Sequence, residues 1–489
     1  MEKPLSEFDA DTKWLCADCI GEPYLSQKVE NEGEALMCSY CNTISQCFTI
    51  EAVADLVETA FEQHYTRTNT DPDHWQEMMI RDKESNYIWD RDGDEITEAI
   101  ASAAEIDERC ATDIQEILED RYSMGTDDVG EETEFSSESR YELKGADDSK
   151  MMAAWLRFEE QLKKKNRFFS QDAAETLKSV FHGLDTLATH KGKRPIVIAG
   201  PRSRLKSLFR ARSFQRADLL KKAIEYPQQE IGPPPFNLAR AGRMNAAGIS
   251  VFYGATDPDV ALSEVRPPVG SLVVVVRFDI VRPLRLLDLA TLRQIRVTGS
   301  IFDPEFVLQL ERAKFLEKLS SRIAVPVVPD DEIYDYLPTQ AIADYLASEA
   351  APPLDGIIYP SVQTQQKSAK NVILFHKSSM VVPSDLPRKA VVEGMLSMST
   401  EDGEESYYSV TETLPPEEPV KENGVRLPLV FFDLQRFDPV LNDDAREPAL
   451  KLDTSSLVVC EVKTVRFAVS RETVGRHRQT AKDRERTDF

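Results

Sequence analysis

Four cysteines constrain this chain more than any other feature. Cys16-x2-Cys19 and Cys38-x2-Cys41 form two CxxC turns with 18 residues between them. Each turn presents two thiolates from one tight loop, and zinc takes four such ligands in a tetrahedron. The spacing predicts a zinc ribbon over residues 12–48. With sulfur at all four positions, no coordination site is open, so the metal is expected to be structural. Two metal-free reduced turns, or a redox pair, are the competing uses of this pattern. Cys47, Cys110 and Cys460 stand apart and read as ordinary thiols.

Charge divides the 489 residues unevenly. Residues 1–150 hold 39 acids and 12 bases, a balance of −27; the rest hold 45 acids and 47 bases, a balance of +2. Trp14, Trp75, Trp89 and Trp155 all fall in the acidic part or just beyond it. Two modules of different origin are expected. The acidic one should repel nucleic acid, while the near-neutral one can hold an anionic small molecule. Apolar runs such as Leu272 to Val276 fall far short of the ~20 residues of a membrane helix. The start, Met-Glu-Lys-Pro, lacks a basic and apolar leader, so a cytoplasmic protein is expected.

Residues 49–190 read as helical. Ile50, Val53, Val57, Phe61 and His64 recur at helical spacing, and a second helix is expected through Ile96, Ile100, Ile106, Ile114 and Leu118. Residues 125–149 read as an acidic loop, followed by helices over 151–162 and after Ser170, an N-cap. From residue 191 the pattern becomes mixed. Strands are expected at 195–199, 248–253, 271–280, 356–359 and 371–375, with helices from Asp303-Pro304 and over 339–348. Residues 381–424, rich in Pro, Ser and Glu, read as a flexible linker. A C-terminal β extension over 425–470 follows, with strands at 425–433 and 456–469. The fold class is therefore α+β.

The mixed region carries an ordered set of motifs. Leu208-Phe-Arg-Ala-Arg212 comes first, then Gly242-Arg243-Met-Asn-Ala-Ala-Gly248 and Val251-Phe-Tyr253. Ala261-Leu-Ser-Glu264, Tyr336-Leu-Pro-Thr-Gln340, Asp355-Gly-Ile-Ile-Tyr-Pro-Ser361 and Asn371-Val-Ile-Leu-Phe375 follow. In order and spacing this set resembles the RES domain, named for its Arg, Glu and Ser, over residues 191–380. Met244 stands where that family usually has Trp. The helical region 49–190 is similar to a HEPN/RES N-terminal domain. The resemblance implies an ADP-ribosyltransferase-like fold and action on NAD, by phosphorolysis or hydrolysis, as a toxin or defence effector. It also implies restraint by an Xre-type antitoxin, or by the chain's own N-terminal module. Protein or nucleotide ADP-ribosylation is the alternative activity, and an inactive binding scaffold the alternative class.

The residue chemistry suits that implication. Cleaving the nicotinamide–ribose bond builds positive charge on the sugar, which a carboxylate stabilises; Glu264 is the candidate. The NAD diphosphate favours planar bidentate donors, so Arg243 with Arg210 or Arg212 is expected to bind it. Only one of the two strand arginines is expected to face the site. Tyr253 can stack on nicotinamide or ribose. Ser361 and Asn371 offer polar groups to the carboxamide or to the attacking phosphate or water. Taken singly, each has a plain structural use: Glu264 in ending a helix, Tyr253 in a core, Ser361 in capping a turn, Asn371 in a sheet. The basic run from Arg202 to Arg216 reads as a solvated face. Arg67-x6-His74 fits a HEPN ribonuclease spacing, but its Asp71-Pro72 interruption and acidic surroundings favour a structural loop.

Overall fold

The computed structural model describes residues 12–82, 85–123, 132–165, 167, 170–324, 332–361, 363, 369–387, 389–401, 403–416, 446–466 and 469–476. They fall into two compact units. One contains 1–198, 240–247 and 285–360; the other contains 199–239, 248–284 and 361–489.

In the first unit, strand Ile44–Thr49 pairs antiparallel with Trp14–Cys16 on one side and Glu34–Met37 on the other. Thr49 then caps helix Ile50–His64, its hydroxyl accepting from Ala52 N at 3.1 Å. The apolar stripe of that helix is buried against helices Ile96–Ala104 and Glu108–Ser123. These two were expected as one helix. Glu105 breaks it, adopting φ +52 at the C-cap, a left-handed conformation that ends the helical path. Leu15, Ile20, Leu25 and Val29 of the ribbon join Val53, Phe61, Ile100 and Leu118 in a single core cluster. The cysteine-bearing segment and the helices thus share one core across residue 49.

The same unit reaches beyond residue 190. Ile301 and Phe302 pack into the N-terminal core. Helix Ser149–Lys164 lies against helix Pro304–Ala324, with Trp155 and Phe315 ring centroids 5.7 Å apart and Lys318 Nζ 2.5 Å from the buried Asp148 Oδ1. Phe181, ending helix Gln171–Phe181, meets Tyr345 of helix Leu337–Ser348 at 6.3 Å. Strand Gly356–Pro360 pairs parallel with Leu284–Asp288.

The second unit is built on antiparallel strands in the order Leu450–Glu461, Leu272–Ile280, Ser207–Phe214, Phe252–Ala255 and Lys370–Leu374. Leu272–Ile280 is Val-rich because it is central and buried on both faces. Helix Pro258–Glu264 is opened by Pro258 and by Asp257, whose carboxylate accepts from Asp259 N at 2.9 Å. Its Val260 and Ala261 pack on Ala211, Ala255, Val273 and Val275.

Two C-terminal expectations change. Within the expected linker, Val391–Thr400 and Gly403–Thr413 pair as an antiparallel hairpin. The β-branched and aromatic residues Val391, Val392, Tyr407, Tyr408 and Val410 favour strand, a signal that Pro and Glu content had obscured. The expected strand at 456–469 runs instead over Leu450–Glu461 and pairs antiparallel with Leu272–Ile280. The expected strand at 425–433 lies outside the described residues.

Candidate active site and metal centre

Glu264 is the last residue of its short helix, and its carboxylate reaches strand Lys370–Leu374 and the neighbouring Ser361. There it meets two donors. Ser361 Oγ donates to Glu264 Oε1 at 2.6 Å, and Asn371 Nδ2 donates to the same oxygen at 2.7 Å. Ser361 and Asn371 are 8% and 3% exposed, so both bonds are shielded from water. Ser361 N donates to Ala369 O at 2.9 Å, placing it beside the strand that bears Asn371. Oε2 of Glu264 has no hydrogen bond among the described residues.

Asn371 carries a second signal. Its Oδ1 is buried and has no hydrogen-bond partner among the described residues. Buried polar atoms are nearly always paired, so an unmet acceptor beside a held carboxylate marks a place for an N–H of a ligand. Register puts Asn371 opposite Ala255 and Ile373 opposite Tyr253. Tyr253 is therefore on the same sheet face as Asn371, half-buried in its strand.

Arg210 and Arg212 do not divide as expected. Residues two apart on a strand share a face, and this face is the one away from Phe209 and Ala211, which pack with Val260 and Ala261. Neither arginine is brought to Glu264. Their surroundings differ. Arg210 lies over the Phe252 ring at 5.3 Å, its Nη1 is buried without a partner among the described residues, and burial pushes it down to about 10. Arg212 is 53% exposed at its side chain and is held by the carbonyl and carboxylate of Glu230.

Arg243 belongs to the first unit. Its turn is closed by Gly242 N donating to Asn245 O at 2.9 Å. Thr339 Oγ1 donates to Arg243 O at 2.5 Å, and Gln340 Nε2 donates to Gly242 O at 2.9 Å and Asn245 O at 3.0 Å. The guanidinium donates from Nη1 to Ile323 O at 3.0 Å and stands 5.7 Å over the Tyr359 ring. Thr339, Gln340 and Tyr359 thus build the arginine's support. All three lie within the motifs of the mixed region, but spacing alone assigns them no task. Met244, the departure from the family pattern, is 2% exposed and serves as packing.

The Sγ atoms of Cys16, Cys19, Cys38 and Cys41 lie within 4.8 Å of one another. Cys16 and Cys41 are 3.6 Å apart, and Cys19 and Cys38 are 3.9 Å apart. A zinc tetrathiolate with bonds of about 2.3 Å has sulfurs about 3.8 Å apart, so the spacing fits. Burial pushes the Cys16 thiol up to about 11, whereas hydrogen bonds at Thr43 bring the exposed Cys41 down to about 6. Four thiolates this close are stable only around a cation, and the group can hold a metal. Asp113 of helix Glu108–Ser123 accepts from Tyr40 Oη at 2.6 Å and Lys13 Nζ at 2.7 Å, tying the second knuckle to the helices.

Arg67 is engaged structurally. It pairs with Glu132 at 3.8 Å and Glu134 at 3.4 Å, and it donates to Glu132 O, while His74 opens helix His74–Arg81. Among the described residues no helix is long and apolar enough to cross a membrane.

Comparison with known families matches residues 208–390 to the RES domain and residues 31–176 to the HEPN/RES N-terminal domain 1. No curated protein and no solved structure matches the chain. RES domains are known as NAD-related toxin domains, and this match supports NAD use in that general class. The chain joins a HEPN/RES N-terminal domain 1 to a C-terminal RES domain.

Proposed function

We propose that the chain is an enzyme that consumes NAD by cleaving the nicotinamide–ribose bond, in an ADP-ribosyltransferase-like RES domain. The observation that carries this is the Glu264 carboxylate held by Ser361 and Asn371, with the unmet Asn371 Oδ1 beside it. The bond between ribose C1 and the nicotinamide nitrogen breaks, and its electron pair leaves with neutral nicotinamide. Glu264 faces the positive charge that grows on the sugar and gains interaction energy only as the bond stretches. Asn371 Oδ1 accepts from the carboxamide N–H and orients the leaving group. Ser361 donates its hydroxyl proton to Glu264 and so holds the carboxylate in position. Tyr253 offers its ring to the nicotinamide or ribose. Water or phosphate then attacks C1; with water, the proton passes to Glu264.

The diphosphate is assigned to Arg243. Of the strand arginines, Arg210 has a buried Nη1 without a partner among the described residues, whereas Arg212 Nη1 is engaged by Glu230. The metal of the cysteine group is assigned as a structural zinc. A separate partner of the Xre antitoxin type is favoured over self-inhibition as the restraint. The N-terminal helices are packed into the first unit as core rather than as a detachable cover. ADP-ribosyl transfer remains the second reading, since it shares the same bond cleavage and differs only in the acceptor. Incubating NAD with the protein and weighing the products separates the routes. ADP-ribose-1″-phosphate means phosphorolysis, ADP-ribose means hydrolysis, and a mass gain on protein means transfer. Absence of nicotinamide release overturns the proposal.

A further inference from the structure

The carbonyl that accepts from Arg243 belongs to Ile323, in the last turn of helix Pro304–Ala324. Carbonyls in a helix's last turn lack intrahelical partners, so what fixes this turn also fixes where the guanidinium is held. Arg322, the adjacent residue, reaches back with Nη2 to Glu159, 3.2 Å from Oε1 and 3.4 Å from Oε2. Glu159 Oε1 also accepts from Trp155 Nε1 at 2.7 Å, and its side chain is only 18% exposed. Trp155 in turn packs on Phe315, about two turns back along the same helix. Glu159 is therefore a fork: one arm is anchored in the packed face of helix Ser149–Lys164, the other holds the end of helix Pro304–Ala324.

The two helices come from different families of sequence. Glu159 and Trp155 lie in the span of the HEPN/RES N-terminal domain, and Arg322, Ile323 and Arg243 in that of the RES domain. The deeper tie between the helices, Lys318 to Asp148, sits a turn further back and leaves the terminal turn to Glu159. We infer that Glu159, in the N-terminal domain, is a positioning residue for Arg243, acting through Arg322 and the last turn of helix Pro304–Ala324. The kinetic consequence rests on the reading of Arg243 as the diphosphate ligand; the geometric consequence does not.

The test uses the full chain with Glu159→Gln, which keeps the shape and removes the charge, and checks by thermal unfolding that the variant is folded. Phenylglyoxal labelling of Arg243, followed by peptide mass spectrometry without NAD, should become about threefold faster or more as the arginine loosens. KM for NAD should rise about threefold to tenfold while kcat stays within about twofold. Arg322→Gln should do the same, and the double variant should be no worse than either single one. An unchanged Arg243 labelling rate in folded Glu159→Gln overturns the inference. Faster labelling with unchanged KM supports the positioning and removes the diphosphate role from Arg243. Faster labelling in a protein that never turns over NAD supports the positioning and overturns only the NAD reading.

Discussion

Asn371 donates one hydrogen bond to Glu264, and its direction is fixed by chemistry: a carboxylate only accepts, so Asn371 must present Nδ2, at 2.7 Å. The same constraint turns Oδ1 the other way, where it is buried and unmet among the described residues. Asn371→Ala removes both functions. NAD turnover should fall about tenfold to a hundredfold, the range of a lost hydrogen bond to a charged group. Thermal unfolding should shift little. Turnover equal to that of the unchanged protein would show that Glu264 is held by something else.

Metal removal should act on stability before chemistry. The cysteine-bearing segment contributes Leu15, Leu25 and Val29 to the core of the first unit, so its loosening exposes helix Ile50–His64. Purified protein should contain about one zinc per chain. Chelation, or Cys16→Ser with Cys41→Ser, should lower the melting temperature of the helical part. Metal analysis of the native protein finding no zinc would remove the assignment.

Truncation near residue 190 should abolish activity rather than release it. That cut takes away Trp155, Phe181 and the core into which Ile301 and Phe302 pack. Expressing residues 190–489 and measuring solubility and NAD turnover checks this. A soluble, more active fragment would restore the idea of an inhibitory module.

Much of the fold was legible because its elements obey single periods. Helix Ile50–His64 and strand Leu272–Ile280 lie close to where spacing and β-branching put them. The break at Glu105 was not legible, because the apolar positions continue across it and only a backbone angle marks the change. Nor was the shared core across residue 190, since pairs such as Trp155 with Phe315 are remote in sequence. At the site, the residue types of Glu264, Ser361 and Asn371 could be picked out. That Ser361 and Asn371 address one oxygen of Glu264 depends on a strand register that no local pattern encodes. The supporting roles of Thr339 and Gln340 depend on contacts to backbone carbonyls, which leave no trace in side-chain pattern.

Acid should weaken the first unit through His64. The ring is 5% exposed, its Nε2 has no partner among the described residues, and it stacks on Phe306 at 5.8 Å. Burial, and then the charge of Lys144, lower its proton affinity in the folded state. The unfolded chain therefore binds the extra proton first, below about pH 6.5. In that window the unfolded state holds more protons, so stability rises with pH and is lost as pH falls. Melting temperatures at pH 5.5 and 7.5 should differ less in His64→Phe than in the unchanged protein. Equal differences in the two proteins would clear His64 of this role.

The central claim is that Glu264 stabilises the charge developing on the ribose. Glu264→Gln keeps the shape, and its carboxamide can still meet Ser361 and Asn371, but the charge is gone. The direct measurement is the rate of nicotinamide release from NAD by the unchanged protein and by Glu264→Gln, with NAD binding followed in parallel. The account predicts release by the unchanged protein, a fall of about 100-fold or more in the variant, and little change in binding. Nicotinamide release by Glu264→Gln at the unchanged rate would contradict it.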